Sequence, residues 1–274
     1  MIVIMTNLSE QKIIVCCDFT ESMNDAIVHG ARIAGIFRKE LCLFCPVVSR
    51  KKKEKQEIQK KLEKVIRDLK DQVSDLSVSS LTLNGDLIDS VERLAEDFDG
   101  IMIIMTTEKM REKLTALRQS SVPFLFIQGI SKEYLRYDRV MFPVDASKVI
   151  KDAALWATYF GRFNHADIEI FVAKGKNEEQ KTLIKSNLKD VKELHSNLDL
   201  SISQRHRESS SCDLYTEAAE SSLKEQFNLL IVPGWQISKT DDLFVFPELK
   251  MIRTAGKLPV LCVNPNRNMY ILCD

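Results

Sequence analysis

Lys12-Ile-Ile-Val-Cys-Cys-Asp18-Phe-Thr20, near the start of the chain, has a counterpart in Arg139-Val-Met-Phe-Pro-Val-Asp145-Ala-Ser147. Each is an apolar run, often β-branched, that ends in an acid. A run this short does not make a helix and reads as a strand covered on both faces, as in a parallel sheet. The acid then falls at the strand's carboxyl end. In open α/β sheets ligands bind along that edge, where the strand order reverses. Asp18 and Asp145 therefore mark two candidate sites.

Working outward from Asp18, the residues Met23, Ala26, Ile27, Gly30, Ala34 and Phe37 share one helical face, and Ser22 with Asp25 has the spacing of a capping box. Leu41 to Cys45 reads as a second strand. Ile58, Leu62, Val65, Ile66, Leu69 and Val73 form the apolar stripe of a long charged helix, and Leu76 to Leu83 alternates as a third strand. Asn84-Gly85-Asp86 is a turn, with Asp86 placed to cap a helix carrying Leu87, Val91, Leu94 and Phe98. Ile101 to Met105 is a fourth strand, Met110, Leu114 and Leu117 mark a further helix, and Val122 to Ile127 is a fifth strand.

The pattern then restarts. Lys12 to Val47 aligns without a gap on Arg139 to Lys174, placing Asp18 on Asp145, Ala26 on Ala153 and Phe44 on Phe171. The second pass continues with a helix through Ile184, Leu188, Val191 and Leu194, a strand from Leu198 to Ser203, a helix through Leu214, Ala218 and Phe227, and strands at Leu229–Val232 and Leu258–Val263. Such self-similarity marks a duplicated domain. The alternation predicts two similar doubly wound α/β domains, each a five-stranded parallel sheet with helices on both faces. A long apolar edge strand invites pairing, so the halves are expected to pack as an intramolecular pseudo-dimer. The expected boundaries are domain 1 over 1–129, a polar linker over 130–138, and domain 2 with a C-terminal extension over 139–274.

Lys plus Arg and Asp plus Glu each number 39 in the 274 residues, so there is no basic excess for a nucleic acid to meet. The run Arg50 to Lys53 is followed by Glu54 and Glu57 in a helical pattern and reads as a solvated face. Seven cysteines, an odd number, lie mostly within apolar strands, which suits a reducing compartment rather than a disulfide framework. Met1 to Met5 lacks the basic leader and length of a signal peptide, and no run approaches the roughly 20 apolar residues of a membrane span. The expectation is a cytoplasmic protein that engages neither membrane nor nucleic acid.

With these pieces assembled, the chain resembles a tandem universal stress protein, two domains of that family fused. The resemblance rests on the starts Val15-Cys-Cys-Asp18 and Phe142-Pro-Val-Asp145, the turn Asn84-Gly85-Asp86, and the closing strands Val122-Pro-Phe-Leu and Leu258-Pro-Val-Leu. Members of that family that bind ATP carry a G-x-x-G loop after the fourth strand, followed further on by G-[ST]. Glycines there let backbone amides close round phosphates, and a helix N-terminus adds positive potential. Here the first repeat reads Met105-Thr-Thr-Glu-Lys-Met-Arg-Glu-Lys113, with no glycine. The second keeps Gly234 after Pro233, but Ile237 replaces the second glycine, and Phe246-Pro-Glu248 stands where G-[ST] belongs. The chain thus resembles the members that lack the ATP-binding loop. The resemblance implies that Asp18, Gly85, Asp145 and Gly234 are relics of adenine-nucleotide sites. The reading from the residues alone makes the two acids turn or cap residues at strand ends, and makes Gly85 and Gly234 turn glycines.

Other constellations carry less. Cys42-x-x-Cys45 has redox spacing, but both residues lie in a predicted strand and point to opposite faces. Cys212, beside Asp213 and ahead of a helix, is the single thiol with any route to activation. His29, His165, His195 and His206 have no metal-ligand spacing, and neither an H-x-G-H nor a Ser-Gly-Gly signature is present, so no enzyme is expected and no metal. Arg205-His206-Arg207 reads as a solvated strand end, with anion binding as its other use. Between Pro233 and Glu248 the second repeat is longer than the first and carries Trp235, Phe244 and Phe246. These fill the vacated pocket, present a partner surface, where aromatics are enriched, or fold onto the domain's own core. The functional expectation is a stress-response-type regulatory or protein-interaction module without standard ATP binding and with no cofactor, its partner a protein or a second copy. The alternative is a small-molecule sensor with one degenerate adenine-nucleotide site.

Overall fold

The computed structural model describes residues 11–49, 51–73, 75–147, 150–195, 198, 200–207, 214–234 and 247–264. Among these, ten strands alternate with eight helices, in two compact units divided between Phe124 and Leu125.

The first unit runs β1 (Lys12–Cys16), α1 (Met23–Phe37), β2 (Glu40–Val47), α2 (Lys52–Gln72), β3 (Val78–Asn84), α3 (Leu87–Glu96), β4 (Gly100–Thr106) and α4 (Met110–Gln119), and β5 (Phe124–Ile127) begins at its boundary. β1 pairs in parallel with both β2 and β4, and β2 with β3, which gives the order β3-β2-β1-β4. The order reverses at β1. Right-handed crossovers therefore carry α1 and α2 to one face and α3 to the other, where α4 packs beside it. Every residue of β4 is buried, as are Ile13 to Cys16, which is why these strands read as unbroken apolar runs.

Two helix starts in this unit differ in a way that matters for the site. Asp86 caps α3 as expected: its carboxylate accepts the Asp89 amide at 2.9 Å while Asp89 reaches back to the Asp86 amide at 3.3 Å. The capping box expected at Ser22 is not formed. Ser22 is the N-cap of α1, but its side chain makes no cap bond. The Ser22 backbone is already helical, with φ of −81° and ψ of −7°, so the Asp25 amide donates to the Ser22 carbonyl at 3.0 Å instead, and the Ser22 hydroxyl donates to the Glu108 carboxylate in the loop after β4.

The second unit contains β6 (Arg139–Val144), α5 (Ile150–Asn164), β7 (Asp167–Val172), α6 (Glu178–His195), β8 (Ile202–His206), α7 (Leu214–Lys224), β9 (Leu229–Pro233), α8 (Pro247–Ala255) and β10 (Val260–Val263). Among the described residues its strands pair in parallel, in the order β8-β7-β6-β9-β10, again reversing at the first strand of the series. Its core gathers Phe142, Trp156 and Phe160, with Tyr137 stacked on Phe160 at 5.7 Å between ring centroids. Asn164 ties down the approach to β6 by donating to the carbonyls of Arg136 and Tyr137, both at 2.8 Å.

β8 corrects the sequence reading, which placed a strand from Leu198 to Ser203. The strand that pairs with β7 is Ile202 to His206, and most of it is exposed. It is held by charge rather than by apolar burial. Arg205 pairs with Glu169 on β7 at 2.5 Å and with Glu225 at 2.7 Å, and its guanidinium lies over the Phe171 ring.

Candidate functional site

In the first unit the carboxyl ends of β1 and β4 bring together Asp18, Thr106 and a residue the sequence reading passed over, Lys113 of α4. The Asp18 carboxylate is fully engaged. One oxygen accepts from the Thr20 amide at 3.2 Å and the Thr20 hydroxyl at 2.7 Å, closing an Asx-type turn. The other accepts from the Thr106 hydroxyl at 3.1 Å and from the Lys113 ammonium at 3.4 Å. The ammonium also donates to the Thr106 carbonyl and hydroxyl oxygens, both at 3.0 Å, and only 7% of the Lys113 side chain is exposed. A second tie joins the same two loops, from the Ser22 hydroxyl to Glu108, and Thr20 and Ser22 hydroxyls lie 3.2 Å apart.

The electrostatics follow. Burial pushes the Asp18 carboxyl up, but the Thr20 hydrogen bonds, the Lys113 charge and the Thr106 hydroxyl outweigh it and hold Asp18 below its ordinary range. Glu108 is likewise lowered: burial opposes, while bonds from Ser22 and Thr106 and the charge of Lys113 prevail. Both acids are carboxylates at neutral pH. The loop that would have to receive phosphates therefore carries a negative charge of its own at Glu108.

The thiols around this edge are quiet. Cys16, Cys17, Cys42 and Cys45 are free and buried. Burial pushes Cys16 up to about 12 even though Lys113 pulls the other way, and lifts Cys45 to about 11. A thiol so far from its thiolate is a packing residue.

Gly85 sits with φ of 111°, a conformation costly for any other residue, and a Cβ there would lie 2.8 Å from an Asp89 carboxylate oxygen. Its amide donates to the Val47 carbonyl at 3.1 Å. Gly85 thus sets the turn from β3 into the capped start of α3.

In the second unit Asp145 also closes a turn, accepting the Ser147 amide at 2.8 Å. Asn187 of α6 clamps that turn by donating to the carbonyls of Asp145 and Ser147, both at 2.8 Å. Tyr215 of α7 hydrogen-bonds Asp145, and its phenol is pushed well up, first by burial and then by the charge of that carboxylate. Gly234 is buried and its amide donates to the Val263 carbonyl at 2.5 Å, so it continues the β9–β10 ladder. Glu248, at the position expected for G-[ST], is 1% exposed in the first turn of α8. It places a carboxyl group where a helix start would receive an anion.

The solvated reading of Arg205-His206-Arg207 holds at the exposed His206 and fails at Arg207. Its side chain is 2% exposed and its guanidinium pairs with Glu217 of α7. Arg205 pairs with carboxylates on β7 and the turn after α7 while staying partly exposed, whereas Arg207 is drawn inward by the carboxylate on α7. Trp235, Phe244 and Phe246 lie outside the described residues, as does Cys212. Among the described residues no group of His, Cys, Asp and Glu could hold a metal ion, and no helix is long and apolar enough to cross a membrane.

No known family's sequence model matches the chain, and no curated protein matches it. Solved structures do match. A universal stress protein from Archaeoglobus fulgidus DSM 4304 superposes with a TM-score of 0.69, covering 94% of this chain and 98% of that one at 12% identity. A functionally unknown protein from Pseudomonas aeruginosa PAO1 follows at 0.61, with 94% of each chain covered and 13% identity. The cytoplasmic domain of a prokaryotic cation chloride cotransporter gives 0.57, with 96% and 98% covered at 11% identity. At such identities the likeness speaks for architecture, and the architecture of this chain is that of two fused universal-stress-type domains.

Proposed function

We propose that the chain is a stress-response-type regulatory or protein-interaction module that does not bind ATP in the usual way. One observation carries this reading: the Asp18 carboxylate, at the edge where a nucleotide would sit, is already bonded to Lys113, Thr106 and Thr20. Glu108 beside it and Glu248 in the second unit set carboxyl groups where phosphates would need donors. The proposal assigns no catalytic residue and no cofactor. Titration calorimetry with ATP and magnesium is expected to give no stoichiometric micromolar binding. Such binding, weakened by Asp18→Ala, would favour instead a sensor using a degenerate site at Asp18 and Gly85.

The proposed partner surface is the longer loop of the second repeat, with Trp235, Phe244 and Phe246. Buried aromatic anchors dominate protein interfaces, and truncating one typically costs about 2 kcal/mol or more of binding. Trp235→Ala and Phe244→Ala are expected to leave the melting temperature near that of the parent while changing the mass measured by light scattering or the capture of a partner. A large loss of thermal stability with unchanged association would assign these rings to the core instead.

A further inference from the structure

We infer that Lys113 is a tethered cation occupying a cation site that the first unit builds from its own oxygens, and that this contact is autoinhibitory: it closes the carboxyl edge of the sheet to ligands. The inference deepens the reading that this edge takes no nucleotide, and it rests on that reading.

The geometry is that of a filled receptor. An alkylammonium has three N–H donors. Lys113 finds three acceptors, the Thr106 carbonyl at 3.0 Å, the Thr106 hydroxyl at 3.0 Å and the Asp18 carboxylate at 3.4 Å. The oxygens are fixed without help from α4. Thr106 ends β4, a strand buried along its length, and its hydroxyl donates to Asp18 at 3.1 Å, which leaves the oxygen's lone pairs to accept from the ammonium. Asp18 is held from its other side by the amide and hydroxyl of Thr20. The acceptors thus belong to the ends of β1 and β4, while the cation arrives from α4. Acceptors and occupant come from different elements, as in a site with a ligand, except that the ligand is covalently part of the chain.

The placement within α4 supports this. Met110, Leu114 and Leu117 form the helix's buried stripe, and Lys113 lies among them with 6% of the residue exposed. A lysine on a buried helical face is destabilising unless its charge is met. Here it is met completely. Carbonyl, hydroxyl and carboxylate oxygens are also the donors that hard cations select. A ligand that approaches Asp18 with a cation in its train meets a position already taken.

Removing the ammonium while leaving space for another is the test. Lys113→Ala is melted in ammonium chloride and in tetramethylammonium chloride at equal ionic strength; the second cation has no N–H and is too large. In tetramethylammonium the variant is expected to melt about 5 °C or more below the parent. In ammonium most of that loss returns, whereas the parent melts alike in both salts. Lys113→Met, whose side chain fills the space, is expected to ignore the choice of salt. Should Lys113→Ala not fold on its own, the yield on refolding in each salt becomes the readout, with ammonium giving the higher yield. Equal melting or equal yield in the two salts overturns the inference, as does an ammonium effect of the same size in Lys113→Met. Stoichiometric ATP binding by the parent would overturn the closure of the edge together with the functional reading, while the salt comparison, which contains no nucleotide, decides the cation site separately.

Discussion

Asp18→Ala is expected to lose about 2 kcal/mol of folding stability in the complete absence of nucleotide. Breaking a buried ion pair from one side costs about 3–5 kcal/mol, because the remaining charge is left without a counter-ion. The loss here falls short of that range, since the Asp18 side chain keeps 27% exposure and water reaches it. What remains after the substitution is the Lys113 ammonium, hydrogen-bonded to the neutral oxygens of Thr106, with Glu108 the carboxylate left to act on its charge. Urea unfolding measures the loss directly. Combined with Lys113→Ala the two effects should fall well short of their sum, because each removes the same interaction. A purely ligand-binding Asp18 would show no stability loss without ligand, and that result would refute the structural role. The pH dependence has a definite sign. The folded-state pKa of Asp18 lies below its unfolded value, so its contribution is present above the ordinary carboxylate range near about 4 and is lost as pH falls through the folded value. The difference between parent and Asp18→Ala is therefore expected to shrink in acid.

Glu217→Ala is expected to cost the second unit about 2–3 kcal/mol, measured in the same way. Its partner Arg207 is the more deeply buried member, with 2% of its side chain exposed against 34% for Glu217. Removing the carboxylate therefore takes the counter-charge from a buried guanidinium. Glu217→Gln, which keeps an acceptor for the guanidinium and loses only the charge, should cost less. A loss no larger than that of an exposed surface pair, about 0.5 kcal/mol, would show that other groups balance Arg207.

How far the sequence carried depended on how each element is stabilised. β1, β4, β6 and β9 were legible because burial on both faces writes an apolar run into the chain. β8 was placed too early because it is an exposed edge strand. Its partners are carboxylates on other elements, and Arg205 and Arg207 look like solvated residues until those carboxylates are seen. The α3 start was readable because Asp86 and Asp89 cap each other across three residues. Ser22 and Asp25 have the same spacing and do not, since the Ser22 backbone is helical and the Asp25 amide bonds its carbonyl rather than its hydroxyl. Asp18 and Asp145 were correctly located as strand-end acids that close turns. Their partners were not found, although one signal for Lys113 was present: a cation three residues after Met110 and next to Leu114 breaks an otherwise apolar helical face. Tyr215 and Asn187 reach Asp145 from distant helices, and no local pattern announces such contacts.

Because Lys113 travels on the same chain as the oxygens it occupies, its supply does not run down. A free cation or nucleotide competing for Asp18 faces an effective concentration fixed by the fold, about millimolar even for a flexible tether and higher for a residue held in a helix. Dilution does not vacate the position and metabolic swings do not fill it further. On the proposed reading, that edge of the first unit does not report the cell's energy state, and a signal conveyed by this chain enters through another face.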